Sequence, residues 1–270
     1  MTTSVDLDSY FERIEWGGTT RPTYDTLSGL LRAHMSHIPF ENLDVLLGRR
    51  VRLDLAALQD KLVRAHRGGY CFEHGMLFAA VLEELGFEPV RHTARAVIIL
   101  PRNASPRTHM LLTVPLAEGT LVVDPGFGGL APRIPVPLVE DTEARCDHDE
   151  VHWMGRDTGH WILRTRQGDK AIDCWVSTLE PDNLVDFEVG NHYTATHPAS
   201  SFVNRLMMRA LTPFGRVTMM NRDVTVWHAN EPHPSRLADR AALRALLVEH
   251  FGFDLPEVER LRVPLIPEWG

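Results

Sequence analysis

Near residue 90 the apolar pattern changes its period, and that change limits the architectures open to the chain. Upstream, apolar residues return every three to four positions. Tyr10, Phe11 and Ile14 follow Asp8, Leu27, Leu30 and Leu31 share a face with His34 over 26–35, and 53–63 and 71–85 repeat the spacing. This period predicts helices, the last of them stopped by Gly86. Downstream come short apolar or β-branched runs at 94–100, 109–116, 120–124, 161–165 and 171–176, punctuated by Gly, Pro and charged residues. They predict an antiparallel sheet or small barrel. Residues 131–138, with three prolines, read as a surface connection. The final third is mixed: a helix at 203–211, strands at 217–220 and 224–227 around an Asn-Arg-Asp turn, and a helix at 240–251. No internal repeat or low-complexity tract interrupts this α+β order.

Composition narrows the function classes. A chain of 270 residues, 44% hydrophobic and 24% charged, can bury a sizeable core and is neither fibrous nor disordered. Its net charge of −8 leaves no general basic surface for nucleic acid, so an anionic ligand needs a local basic pocket. No apolar run approaches the roughly 18–20 residues of a membrane helix. The opening residues lack the basic and apolar parts of a secretory signal. Three cysteines without regular spacing make a disulfide framework improbable and a reducing, cytoplasmic home the expectation.

The segment from Arg67 to His74, Arg-Gly-Gly-Tyr-Cys-Phe-Glu-His, carries the most chemistry. Two glycines permit a tight turn, and the helix that follows places Cys71 in its first turn. Free N–H groups there carry partial positive charge and favour a thiolate. A small buried core cysteine fits the same local pattern, so a nucleophile needs a base to distinguish it. His109 opens one apolar run and Asp124 closes another, with 116–119 turning the chain between them. In a hairpin the two would lie opposite or within about two residues, where diagonal neighbours are about 7–8 Å apart. The carboxylate could then hold one imidazole nitrogen while the other faces a thiol. The competing reading makes His109 a half-buried strand residue and Asp124 a turn cap. His74 is a rival base, three positions after Cys71 on the same helix.

These residues resemble the arylamine N-acetyltransferase family. Residues 67–74 resemble its cysteine motif and Ile38-Pro-Phe-Glu-Asn-Leu43 its N-terminal signature. Thr108-His109 is similar to its histidine strand, and Val123-Asp-Pro-Gly-Phe-Gly-Gly129 to its aspartate turn. Thr196-His-Pro-Ala-Ser-Ser-Phe202 is similar to its acyl-donor segment. The matches run in order to about residue 205. Gly75 stands where the family usually has Asn, and Pro125 where a small or β-branched residue is commoner. The expected consequences are a lost local hydrogen bond and a stiffer turn.

The resemblance implies a helical bundle over 1–90, a β-barrel over 91–195 and an α/β lid over 196–270, around a papain-like Cys71–His109–Asp124 triad. It implies acetyl-coenzyme A as co-substrate, an arylamine or hydrazine acceptor, and an acetyl-Cys71 intermediate in a ping-pong reaction. Phe40, Phe127 and Phe202 are candidates for an acceptor slot, or for plain core. Gly128, Thr196, His197 and Ser200 are the expected coenzyme A contacts. Arg67 and Glu41 read as a bracing ion pair. Arg205, Arg209, Arg216 and Arg222 read as a solvated basic face or a phosphate contact, the first two on one helix face. Cys146, His148 and His152 lie close together in an acidic loop without a second ligand pair, so no metal is expected. Cys174 reads as inert core. The alternative function is a macrolactam-forming amide synthase, with the same triad and a carrier-protein-bound acyl chain. Neither nucleic acid nor membrane is an expected partner.

Overall fold

The computed structural model describes residues 4–145, 150–212, 215–228 and 231–269. Its first third is helical: α1 (Leu7–Arg13), α2 (Tyr24–His37), α3 (Leu43–Leu46), α4 (Leu55–Leu58) and α5 (Cys71–Glu84). Thr23 caps α2 by accepting from the Thr26 amide, one of the donors a helix start leaves unpaired. Its face of Leu27, Leu30, Leu31 and His34 is buried. The helix expected over 53–63 is α4 continued by a wider π turn at Gln59–Arg64. The one expected over 240–251 is likewise α8 (Arg240–Leu246) continued by a π turn at Leu247–Phe251.

Two antiparallel sheets follow. The first contains β2 (Val90–Ala96), β3 (Arg107–Leu116), β4 (Gly119–Val123), β5 (Val136–Pro137), β6 (Ala144–Arg145), β7 (Val151–Asp157), β8 (His160–Gln167) and β9 (Lys170–Ser177). Their order among the described residues is β5-β4-β3-β2-β9-β8-β7-β6. A bridge between Glu140 and Met154 nearly closes this sheet into a barrel. Alternation on β3 and β4 explains the layering. Met110, Leu112, Val114 and Val123 join the helical core, while Leu111 and Val122 join the barrel core with Met154, Leu163 and Trp175.

The second sheet runs β1 (Phe40–Glu41), β10 (Met207–Thr212), β11 (Gly215–Met220), β12 (Asp223–His228) and β13 (Glu231–Arg236). Helices α6 (Leu184–Thr196) and α7 (Ser201–Asn204) precede its last four strands and α8 packs on it. Because β1 pairs with β10, the N-terminal signature is part of the C-terminal sheet.

Two expected elements are corrected. The strand at 94–100 ends at Ala96: Val97 still donates to Cys174 O, and Ile98, Ile99 and Leu100 are exposed beyond it. The helix at 203–211 is absent. The Asn42 side chain donates to Phe202 O and Arg205 O and accepts from Met207 N at 2.8, 2.7 and 2.9 Å. It takes the backbone groups a longer helix would use, and the chain turns into β10. Arg205 and Arg209 therefore share no helix face. Arg209 is buried and donates to Gly128 O, which removes it from any solvated basic face.

Candidate active site

Cys71 opens α5 behind a loop that is clamped on both sides. Gly69 N donates to Pro39 O and Glu41 N to Gly69 O. Gly68 passes so near Pro39 O that a Cβ there would lie 2.0 Å from it, a contact only glycine permits. Arg67 Nε donates to Glu41 Oε1 at 3.0 Å, the expected bracing pair. The network is larger than the sequence indicated. Lys61 bridges Asp44 and Glu73 at 2.8 and 2.7 Å, and Arg67 also reaches Asp44. Glu73 in turn accepts from Tyr70 N at 3.1 Å. Burial, with Glu41 nearby, pushes the Glu73 carboxyl up to about 7 against the pull of Lys61.

His109 and Asp124 are diagonal neighbours. The β3–β4 register pairs Leu112 with Val123, so Asp124 follows on opposite Leu111, two residues from His109. His109 Nε2 lies 2.8 Å from Asp124 Oδ2. Trp175 Nε1 donates to the same oxygen at 2.9 Å, and Gly126 N donates to Oδ1 at 3.3 Å. Asp124 is fully buried, so these donors stand where water cannot. Burial disfavours charge on His109. The Asp124 carboxylate and the hydrogen bond with the Cys71 side chain overcome it and raise its pKa to about 10.

Two bulges aim this constellation. On β3 the register with β2 skips Thr108, and the Cys71 thiol points at that residue's carbonyl, Sγ to O 3.6 Å. On β9 the register with β8 skips Cys174, one residue before Trp175. Gly126 closes the turn over the nucleophile: a Cβ there would meet Cys71 Cα at 2.6 Å. Neither bulge nor the Trp175 partnership has a local sequence signal. The space beside Gly75 is filled by Met110, whose sulfur would lie 2.9 Å from an added Cβ. Asp124 draws its donors from elsewhere.

The half-buried aromatics gather around the same place. Phe127 meets His109 edge-on at 4.8 Å, and Phe202 lies 6.2 Å from Phe40 and 5.3 Å from Tyr70. Gly128 lies against the Phe40 ring. Of the other expected donor contacts, Ser200 caps α7 and donates to Thr194 O, His197 stacks on Tyr193 at 4.2 Å, and Thr196 donates to His192 O. These three belong to the α6–α7 corner, and Gly128 to the Asp124 turn. Arg205 Nη1 donates to Ser201 Oγ, Arg216 lies over Trp227, and Arg222 donates to Leu237 O and Ala238 O.

His74 is fully occupied: Nδ1 meets His34 Nε2 at 2.8 Å, and Nε2 lies 3.2 Å from both Pro39 O and Gly69 O. Burial holds the Cys174 thiol above its ordinary range. Cys146 and His148 fall outside the described residues, and His152 bonds to Leu130 O at 3.0 Å. Among the described residues, no cluster of His, Cys, Asp or Glu is placed to hold a metal, and no helix is long and apolar enough to cross a membrane.

A family model described as N-acetyltransferase matches residues 23–260. The chain belongs to the arylamine N-acetyltransferase family. The arylamine N-acetyltransferase of Mycobacterium tuberculosis is 39% identical over 260 residues, covering 94% of this chain and 92% of that protein. That of Escherichia coli is 36% identical over 255 residues, with coverage of 94% and 90%. The solved M. tuberculosis structure superposes with a TM-score of 0.88 at 39% identity, over 94% and 96% of the two chains. The Mycobacterium marinum enzyme in complex with CoA gives 0.88 at 34% identity, over 94% of each. The α+β fold is thus that of the family, with its papain-like core, and the chain is an acyltransferase.

Proposed function

We propose that the protein acetylates arylamines and hydrazines from acetyl-coenzyme A by a ping-pong reaction through acetyl-Cys71. The observation that carries this reading is the buried line from Cys71 to His109 to Asp124. With its pKa raised to about 10, His109 rests protonated at neutral pH and pairs with a Cys71 thiolate. The thiolate attacks the thioester carbonyl, and coenzyme A leaves with a proton from His109. The amine then attacks the acetyl-cysteine, His109 accepts its proton, and Cys71 is released. Asp124 stabilises the imidazolium and fixes its tautomer. Gly126 N–H is already engaged by Asp124; amides at the start of α5 and the Phe127 and Gly128 amides of the Asp124 turn are the candidate donors for the tetrahedral oxyanion.

Phe40, Phe127 and Phe202 supply flat apolar faces for an aromatic acceptor. Gly128, Thr196, His197 and Ser200 are proposed for the coenzyme A side, the ligand class seen in the CoA-bound relative. The helical bundle, barrel and lid divide at about residues 90 and 195, with a cytoplasmic setting. A carrier-protein acyl donor has no comparable support.

The deciding experiment is an intact mass after incubation with acetyl-coenzyme A alone, beside Cys71→Ala. One added acetyl group, absent in the variant and discharged by an aromatic amine, is the expected result. A protein that stays unacetylated while Cys71 remains open to alkylation would overturn the donor assignment.

A further inference from the structure

A groove of about 1000 Å³ runs between residues 48–54 and helix α6. It has the size of a small-molecule site, and of the residues proposed for acyl transfer Thr196 alone lines it. Its floor is apolar, formed by Val45, Val51, Leu53 and Met76. One wall is α6, a helix whose polarity is unusual. Phe187, Gly190 and Thr194 face inward, yet Leu184, Val185 and Val189 on the outside are 63%, 60% and 67% exposed. An outward helix face is ordinarily polar. Of α6, Leu184 and Ala195 line the groove beside Glu188, Asn191, His192 and Thr196.

The opposite rim is cationic. Arg49 is held by Glu257 at 2.8 Å and Asp44 at 3.5 Å, and Arg52 by Asp54 at 2.8 Å. Arg50 is exposed and makes neither ion pair nor hydrogen bond with any described residue. Asp54, Glu188 and His192 are the other ionisable groups lining this groove. On a chain of net charge −8, an exposed arginine in a groove that also holds Val51, Leu53, Met76, Leu184 and Ala195 selects for an anion with an apolar body.

The back of the groove is linked to the segment that carries the nucleophile through Asn191. Asn191 donates to Val51 O at 3.1 Å and accepts the hydroxyl hydrogen bond of Tyr70. Tyr70 immediately precedes Cys71, and its ring packs on Phe202. We propose that this groove is a second ligand site for a long-chain carboxylate. The head group lies on Arg50, the chain lies along Met76, Leu184 and Ala195, and occupancy alters Cys71 reactivity through Asn191 and Tyr70.

The test titrates Cys71→Ala protein calorimetrically with dodecanoate below its micellar concentration, with dodecanol as control. The expected result is one saturable site, weakened about tenfold by Arg50→Glu, the loss of one charge-assisted contact. Ala195→Trp, which fills the groove, should weaken it similarly, and dodecanol should bind about tenfold less tightly. In the wild-type chain, saturating dodecanoate should change the rate of Cys71 alkylation by about twofold or more, and Arg50→Glu should remove that response. No saturable binding, equal binding of dodecanol, or parental affinity in both groove variants would overturn the site. Binding without any change in Cys71 alkylation would overturn the coupling. Binding is read on a protein without its nucleophile, so failure of the acetyl-transfer reading leaves this result independent.

Discussion

The helical bundle and the barrel edge each bury histidine, and they treat it in opposite ways. In the bundle, Tyr10, His34 and His74 form a line of hydrogen bonds, Tyr10 Oη to His34 Nδ1 at 2.9 Å and His34 Nε2 to His74 Nδ1 at 2.8 Å. The line ends on the carbonyls of Pro39 and Gly69. Those carbonyls can only accept, so His74 Nε2 carries its proton, His34 Nε2 donates to His74, and Tyr10 donates to His34. Burial lowers His74 to about 4 and His34 well below the ordinary histidine range. At the barrel edge, His109 is as deeply buried yet is raised to about 10. Desolvation acts against the cation in both places. The full negative charge of Asp124 reverses the outcome; carbonyl dipoles only soften it.

The most severe way to break this contrast is Asp124→Asn. His109 should then titrate below its ordinary value, as His74 does, and kcat/KM for acetyl transfer should fall by about 10³–10⁴. A histidine NMR titration beside steady-state kinetics checks both. Trp175→Phe keeps the ring and removes one donor to Asp124. It should lower kcat about tenfold with KM for acetyl-coenzyme A nearly unchanged, the rate equivalent of one charged hydrogen bond. An equal rise in KM would count against a positioning role.

On the neutral side, Tyr10→Phe leaves His34 Nδ1 buried without a donor. Urea unfolding should show a loss of about 1–3 kcal/mol, with activity per folded molecule retained. The smallest effects are pH slopes, at most about 1.4 kcal/mol per pH unit per group. His109, raised in the folded state, contributes stability that is full below about 6.5 and lost as pH rises toward about 10. His74, lowered, removes stability as pH falls from about 6.5 to about 4. Chemical denaturation across pH should show the alkaline slope reduced in Asp124→Asn and the acid slope steepened, because His109 then joins His74 in losing stability as pH falls.

The same contrast explains what could be read in advance. The chemistry of the Cys71 segment was legible because its signals are local: two glycines, a helix start and a nucleophile in eight residues. His109 and Asp124 were placeable because a short turn between two apolar runs confines the register to within about two residues. Nothing local separates His74 from His109 as a base. That decision belongs to Asp124, fifteen residues from His109 in one case, and to two backbone carbonyls in the other.

By itself the sequence determined the α+β order, the helix that carries Cys71 and the β-hairpin that brings His109 to Asp124, since these depend on periodicity and short-range turns. Tertiary structure decided the rest. Asn42 reaches residues 202–207 and turns an expected helix into strand β10, because satisfying buried backbone groups outweighs helix propensity. Bulges at Thr108 and Cys174 aim one carbonyl at the nucleophile and the Trp175 indole at Asp124. Arg209 is drawn inside by Gly128 O. Each of these outcomes depends on partners tens of residues or more away, and contacts at that separation leave no period in the chain that makes them.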